Sequence, residues 1–385
     1  MVMPLSNPMP KTALLDAVLP NAHSEIWKHF SFAPFRNKSF VSVSPEYSTH
    51  LHSSSSQAMQ EEFVLTASMD KKDWLSRWSK TNLSDLFFEK WNFEELPQLF
   101  RLRFAEGSSA ELDVNIQPAA FVVSEQENFV CHSHIDIRVL RGANIKLHMN
   151  ILSQNSAFMN TVITAHVDEG ASLQLLYFSP ALPLDKQFVF HRINVQREAS
   201  FKCYASDHNS LMKRYEWLVR LQGERANASI KGLGLLADQE KLHHVARVIH
   251  EARLTTSEQV CKSIASHQSE YEFNSLVHVE QKGAHSQSSQ LNRNLILNDA
   301  VRIYSRPQLM IDIDDVQCHH GVATGQPDEN ELYYLRSRGI DSKGAKELLC
   351  YGFARDVASD LHSYAFDGAC YQNLLQQKIK HILND

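Results

Sequence analysis

The chain has 385 residues, 43% of them hydrophobic, which is enough to bury a large core and to form two or three domains. Its net charge is −6, with 44 acidic and 38 basic side chains, so we expect neither nucleic acid nor an anionic membrane as a partner. The sequence has no run of 18 apolar residues and no secretory signal pattern, which predicts a cytoplasmic protein without a transmembrane helix.

Residues 1–105 predict an N-terminal region of helices and irregular segments. Residues 14–19 have a helical pattern, and residues 73–78 and 85–92 have the pattern of aromatic-rich helices. A run of four serines at positions 53–56 predicts a solvated loop. We expect the aromatic side chains of this region to pack as a cap rather than to bind a ligand.

Residues 106–325 contain an internal repeat that predicts a β-solenoid core. The repeats start at spacings of 28, 28, 27, 29 and 29 residues, at Gly142, Gly170, Glu198, Arg225, Leu254 and Gly283. Each repeat also holds a second strand-like run, for example residues 188–195. Two strands per repeat with little helical periodicity favour a coil in which each rung buries its inner face on the next. The alternative is a chance echo within an antiparallel β-sandwich.

The ends of a solenoid need covers, because the first and last rungs have exposed edges. The repeat pattern therefore predicts non-β structure before residue 100 and after residue 325.

Two adjacent histidines, His243 and His244, lie in one strand-like run of the repeat. Neighbouring residues of a strand point to opposite faces, so one ring faces inward and the other outward. We therefore expect structural roles for both rather than a shared metal ion.

The segment 307–321 combines a strand pattern with a pair of metal-ligand residue types. Residues 309–313 alternate apolar and polar, and a strand that keeps this register would place Cys318 and His320 on one face and His319 on the other. A thiol and an imidazole side by side are soft ligands for iron or zinc, and a thiolate also accepts sulfur. The alternative is that the pair packs at a strand end and binds nothing.

Residues 326–385 predict a small helical domain. A helix over residues 331–338 ends at Gly339, and Asp341 or Ser342 caps the next one. The apolar positions of that second helix are Ala345, Leu348, Leu349, Gly352, Phe353 and Val357. Those of the final helix are Tyr371, Leu374, Leu375, Ile379, Ile382 and Leu383. A short bundle cannot bury all of these side chains by itself, so the domain either packs on the solenoid or binds a partner.

The motifs of several enzyme classes are missing from the sequence. It contains no phosphate-binding loop of the type Gly-x-x-x-x-Gly-Lys-Ser/Thr, no Gly-x-Ser-x-Gly elbow and no His-Glu-x-x-His. The six cysteines are far apart and form no Cys-x-x-Cys pair, so a zinc ribbon or a ferredoxin-type cluster loop is not encoded. We expect a chain that does not hydrolyse ATP itself, with reduced thiols and no cluster stably bound by this chain alone.

The C-terminal third resembles the core of the SufB/SufD family of iron–sulfur cluster assembly proteins. The resemblance rests on Asp-Asp-Val-x-Cys-x-His-Gly from Asp314, then Gly-Gln at 325–326, Leu-x-Tyr-Leu-Arg-Ser-Arg-Gly-Ile from Leu332, and Gly-Phe at 352–353. Within the family the chain is similar to the SufD type. The SufB pattern has Glu-His-Glu at positions 319–321 and a cysteine at the position of Leu335.

This resemblance implies a right-handed parallel β-helix and a role as a scaffold subunit of a SufBCD-like complex. It implies pairing with a SufB-like subunit, with His320 and, more weakly, Cys318 as transient iron or cluster ligands at the shared interface. It also implies that the C-terminal helices dock a SufC-like ATPase, for which we select Tyr334, Leu348, Leu349 and Phe353. An isolated chain could form a homodimer that imitates the mixed pair.

Two other functions are compatible with a β-helix. One is a SufB-type scaffold that holds a cluster by itself. The other is a polysaccharide lyase or hydrolase, which needs clustered carboxylates on one face of the solenoid. Asp312, Asp314 and Asp315 supply carboxylates, but the repeats show no matching cluster.

Overall fold

The computed structural model describes residues 11–14, 19, 27–36, 38–54, 59–65, 87–96, 98–119, 128–153, 157–177, 186–208, 211–364 and 368–383. Before the solenoid, the described residues form one helix, α1 (Phe87–Glu95), and five strands: β1 (Lys11–Leu14), β2 (Lys38–Val43), β3 (Pro45–Ser54), β4 (Met59–Leu65) and β5 (Gln98–Phe104).

Fifteen further strands build two parallel sheets. One, the odd sheet, contains β7 (Asn128–Val139), β9 (Phe158–Val167), β11 (Lys186–Val195), β13 (Met212–Leu221), β15 (Lys241–His250), β17 (Glu270–Val279) and β19 (Arg302–Ile311). The other, the even sheet, contains β6 (Ser109–Pro118), β8 (Asn144–Ile151), β10 (Ser172–Tyr177), β12 (Ser200–His208), β14 (Asn227–Leu236), β16 (Thr256–Ala265), β18 (Gln287–Ile296) and β20 (Gln317–Gly325). Consecutive strands alternate between the sheets, so the chain coils as the parallel β-solenoid that the repeat predicts.

The repeat starts are the corners that lead into the even sheet. The corner residues have positive φ angles between 56° and 67°: Gly142, Gly170, Glu198, Arg225, Leu254 and His285. A small buried residue follows each of them: Ala143, Ala171, Ala199, Ala226, Thr255 and Ser286. Each corner N–H donates to a carbonyl of the next rung, as from Leu254 to Ala284 at 3.0 Å.

The last predicted repeat start was wrong by two residues. The corner is His285 rather than Gly283, because the N–H of His285 donates to the carbonyl of Asp315 in the next rung. The N–H of Gly283 instead closes a local turn on the carbonyl of Glu280. The turn therefore lengthens this repeat to 31 residues between paired positions Thr256 and Gln287.

The interior of the solenoid changes from apolar to polar along its axis. One stacked inward position of the even sheet holds, from first rung to last, Leu112, Leu147, Leu175, Cys203, Ile230, Gln259, Gln290 and His320. The first rungs thus form a hydrophobic core. The last three rungs place hydrogen-bonding side chains at this position, next to the end of the solenoid.

The expectation of non-β structure before residue 100 was wrong. Strand β2 joins β7 in parallel, and β3 pairs antiparallel with β6. Strand β5 pairs in parallel with β7, and β4 pairs antiparallel with β5, so both extend the odd sheet. These additions satisfy the N–H and C=O groups that the first rung would otherwise expose at its edge, which is another way to cover an end.

Several smaller N-terminal predictions had mixed outcomes. The helix expected over residues 85–92 is α1, whereas Leu14 ends strand β1 instead of starting a helix. Ser53 and Ser54 end β3 instead of lying in a loop. Residues 73–78 lie outside the described residues, as do most of residues 14–19.

The aromatic residues of the N-terminal region pack as a cap on the outer face of the odd sheet. Trp27 and Phe88 are fully buried there, and the guanidinium of Arg214 lies 3.8 Å from the ring centre of Trp27. Beneath them Arg192 contacts the carboxylates of Glu89 and Glu216. This buried network joins α1 to the middle of the solenoid.

Three helices follow the last strand: α2 (Glu329–Ser337), α3 (Ser342–Tyr364) and α4 (Gly368–Ile382). Gly339 ends α2 with a φ of 86°, and the carboxylate of Asp341 caps α3 by accepting from the N–H of Gly344. Non-β structure after residue 325 is thus confirmed. None of the described helices combines the length and the apolar character needed to cross a bilayer.

The predicted inner face of α3 was partly wrong. Among the described side chains of α3, Ala345, Cys350, Ala354 and Val357 are buried. The last three of these pack with Leu233, Leu235 and Ile264 on the outer face of the even sheet. Leu348 is 50% exposed and Gly352 is exposed as well. The apolar pattern of the sequence is wider than the surface that the sheet offers, so its outer part remains uncovered.

Candidate metal centre

The last rung of the solenoid, β19 and β20, forms an end that we call the open end. Strand β19 pairs with β17 and β20 pairs with β18, and no described strand pairs with their outer edges. Met310, Ile311 and Val322 are exposed there, with fractions of 42% to 50%. The open end therefore presents unpaired backbone groups together with apolar side chains.

The strand that was expected to run through to Cys318 is interrupted. Residues 312–316 form a turn that takes the chain from the odd sheet to the even sheet. The N–H of Val316 closes this turn on the carbonyl of Asp314 at 3.0 Å. The register of β19 therefore does not determine where Cys318 and His320 point.

Their positions follow instead from the pairing of β20 with β18. Cys318 lies beside Ser288 and His320 beside Gln290, and both partners are buried inward residues. His319 lies beside Ser289, whose side chain lines the outer face. The structure thus brings Cys318 and His320 to the inward face of the last strand, two positions apart, with His319 on the opposite face.

The thiol of Cys318 is partly buried and packs against the solenoid core. Burial raises its pKa, and a hydrogen bond with the backbone of Ser288 opposes the rise only in part. The group is therefore a protonated thiol at neutral pH. It would release this proton on binding a metal ion, since the thiolate is the ligand form.

The imidazole of His320 is exposed at the open end. Within the described residues, no three His, Cys, Asp or Glu side chains are arranged to hold a metal ion. His320 and Cys318 are thus two candidate ligands at a surface rather than a closed coordination site.

A polar network behind this pair was missed from the sequence. Gln290 donates to the hydroxyl of Ser275 at 2.5 Å, and that hydroxyl donates to Gln259. In the neighbouring stack, Asn292 donates to the carbonyl of Cys261 at 2.9 Å. A signal existed, since inward positions that are Leu or Ile in early repeats are Gln, Asn or Ser in the late ones.

The four residues expected to bind a partner lie together away from this pair. Tyr334, Leu348, Leu349 and Phe353 line one groove of about 800 Å³ between α2, α3 and the end of β18. Tyr334 is 57% exposed and Leu348 is 50% exposed. Asp328 and Glu331 add acidic groups to the rim, so the groove is apolar with a partly acidic border.

The adjacent histidines of β15 point to opposite faces, as their spacing predicts. His243 faces outward and its Nδ1 lies 2.7 Å from Glu272, beneath the N-terminal cap. His244 faces inward, with its ring nitrogens bonded to Tyr271 and Asp207. Both rings are fully buried with separate partners, which suits structural roles.

The carboxylates considered for a polysaccharide enzyme lie in the turn after β19. Asp312 pairs with His278, and Asp315 pairs with His285, each at 2.8 Å. These pairs fasten the corner of the last rung. They do not form a row along a face of the solenoid, which is what a sugar chain would require.

Comparison with known proteins gives consistent matches. Residues 121–353, more than half of the chain, match the family described as SUF system FeS cluster assembly, SufBD core domain. The iron–sulfur cluster assembly protein SufD of Escherichia coli is 26% identical over 228 residues, 59% of this chain and 54% of that protein. An iron–sulfur cluster assembly SufBD family protein of Synechocystis is 29% identical over 229 residues, 58% of this chain and 47% of that protein.

A shorter match joins the chain to a relative from a third organism. The iron–sulfur cluster assembly protein SufD of Bacillus subtilis is 37% identical over 89 residues, 23% of this chain and 20% of that protein. In the longer alignments the chain spans about half the length of the relatives that it matches.

Proposed function

The chain belongs to the SufBD family of iron–sulfur cluster assembly proteins, and from this membership we propose that it is a SufD-like, non-enzymatic scaffold subunit. Its partner would be a SufB-like subunit in the cytoplasm, and clusters would be assembled transiently where the two chains meet. The observation that carries the proposal is the open end, which places Cys318 and His320 on a rung with unpaired edges.

An unpaired strand edge is a ready template for another strand. A sister solenoid that added its own strands beside β19 and β20 would satisfy their free N–H and C=O groups. It would also bury the exposed side chains of Met310, Ile311 and Val322. The polar interior of the last two rungs would then face the seam between the two chains.

Iron chemistry suits the two side chains at this seam. A neutral imidazole and a thiolate both bind iron. Two ligands from one chain leave positions for ligands from the sister chain, so a cluster would form only in the pair. This arrangement supports transient assembly over stable storage by the lone chain.

The groove that contains Tyr334, Leu348, Leu349 and Phe353 supports the second partner, a SufC-like ATPase. It combines exposed apolar side chains with a firm base, because α3 and α4 are packed on the even sheet. Movement of a docked ATPase would therefore be transmitted to the solenoid. Its pull would reach the seam through β18 and β20.

The replacement His320→Ala tests the proposal. We expect the complex with the SufB-like subunit to form normally, because His320 is exposed and the pairing of a strand edge uses backbone groups. Delivery of clusters to an apo-ferredoxin should fall at least about tenfold, the scale for loss of a metal ligand or its support.

The matched control is His319→Ala, which removes an imidazole from the same strand on the opposite face. It should deliver clusters at the wild-type rate. Equal rates of cluster delivery by the wild type and both variants would show that His320 is not part of the assembly site. The proposed role of the seam would then be wrong.

A further inference from the structure

A second site lies on the outer face of the even sheet. A groove of about 460 Å³ crosses five successive strands, from β12 to β20. Because the strands are in parallel register, equivalent residues stack in ladders along it. One ladder consists of Lys202, Ser229, Glu258, Ser289 and His319. A second consists of Asn227, Thr256, Gln287 and Gln317.

The groove has a surplus of positive charge. Its charged lining residues are two lysines, Lys202 and Lys231, and one carboxylate, Glu258. That carboxylate lies 3.6 Å from the ammonium of Lys231 and accepts from Ser229 at 3.2 Å. Lys202 has no hydrogen-bond or ion-pair partner within the described ranges. One ammonium is therefore available in a chain whose net charge is −6.

Neutral donors surround this charge at the end of the groove nearest β20. The side chains of Gln287, Ser289, Gln317 and His319 line it, and among the residues that the structure describes none of them forms a hydrogen bond. Amide, hydroxyl and ring N–H groups of this kind bind oxyanions, and they bind them more strongly beside an ammonium. The lining thus selects for a negatively charged, oxygen-rich ligand.

We propose that this groove binds a small polycarboxylate. Its volume is in the range of small-molecule sites, and successive rungs lie about 4.8 Å apart, so carboxylates of one molecule can reach donors of two rungs at once. The groove is on the opposite side of β20 from Cys318 and His320. The proposal therefore does not depend on cluster chemistry at the open end.

Citrate is the probe, titrated into the full chain by calorimetry in a chloride solution buffered by an amine. The replacement Lys202→Gln should weaken citrate binding about tenfold, the scale of one charge-assisted hydrogen bond. The matched control Lys282→Gln removes a lysine from an exposed turn outside the groove and should change affinity less than about twofold. Unchanged melting temperatures show that both variants fold.

A further variant should act in the opposite direction. Glu258→Gln removes the one carboxylate of the groove lining, so citrate should bind more tightly than to the wild type. Absence of saturable binding would overturn the proposal, as would equal effects of Lys202→Gln and Lys282→Gln. Tighter binding of inorganic phosphate than of citrate would also overturn the assignment to a polycarboxylate.

Discussion

Single residues set the corners of this solenoid through the backbone. Four of the six repeat corners hold non-glycine residues at positive φ, among them Arg225 at 60°. For an L-residue this conformation costs roughly 1–2 kcal/mol, because the Cβ atom crowds the following carbonyl. Gly142 and Gly170 occupy the same corner in earlier rungs without that cost.

Arg225→Gly is therefore expected to stabilise the protein by about 1 kcal/mol relative to Arg225→Ala. Both replacements remove the same exposed ion pairs with Glu198 and Glu224, which contribute little. Only glycine relieves the backbone. Thermal unfolding of the two variants measures the difference, and an alanine variant as stable as the glycine variant would refute the backbone explanation.

For individual residues, the sequence predicted the strand face on which a side chain lies better than it predicted the solvent exposure of that side chain. The two-residue period of a strand correctly separates His319 from His320 and His243 from His244. The exposure of Leu348 was not predictable, since it depends on how much of α3 the even sheet can cover. That width is a property of the packed structure and not of the local sequence.

Among the elements, the C-terminal helices are held to the solenoid by a buried ion pair. The ammonium of Lys378 in α4 lies 2.8 Å and 2.9 Å from the two carboxylate oxygens of Glu240. Glu240 also accepts from the N–H of Ala237 at the corner between β14 and β15. Both residues are buried, so neither charge is well solvated if the other is removed.

Lys378→Met is expected to release α4 from the sheet, since an unpaired buried carboxylate costs about 3–5 kcal/mol. Hydrogen exchange of the α4 amides should accelerate while exchange of β8 and β10 stays slow. The double variant Lys378→Met with Glu240→Gln should recover much of the loss, because glutamine still accepts from Ala237 without a charge. Equal exchange rates of the α4 amides in the wild type, the single variant and the double variant would show that the ion pair does not hold the helix.

The elements themselves were predicted unevenly, for identifiable reasons. The spacing of the corners determines the β-solenoid, because each corner needs a positive φ followed by a small buried side chain. Strands β2, β3 and β5 were missed because they are stabilised by pairing with β6 or β7. Strand β4 was missed because it is stabilised by pairing with β5, which is distant in the sequence. The break at residues 312–316 was missed because the alternation of apolar and polar residues continues through Ile313 and Asp314.

At the scale of the whole molecule, the two ends of the solenoid are treated differently. The first rung is extended by antiparallel and parallel strands. None of the described strands pairs with the outer edges of the last rung, which also has exposed apolar side chains and a polar interior. The asymmetry gives the molecule one end suited to joining another solenoid, and Cys318 and His320 lie on that end.

Amide hydrogen exchange of β20 with and without a SufB-like partner tests this account most directly. We predict that the amides of Gln317–Gly325 become strongly protected when the partner is added, together with those of β19, while the first rungs exchange as before. A stable complex in which β19 and β20 exchange as fast as in the free chain would contradict it, because the seam would then lie elsewhere.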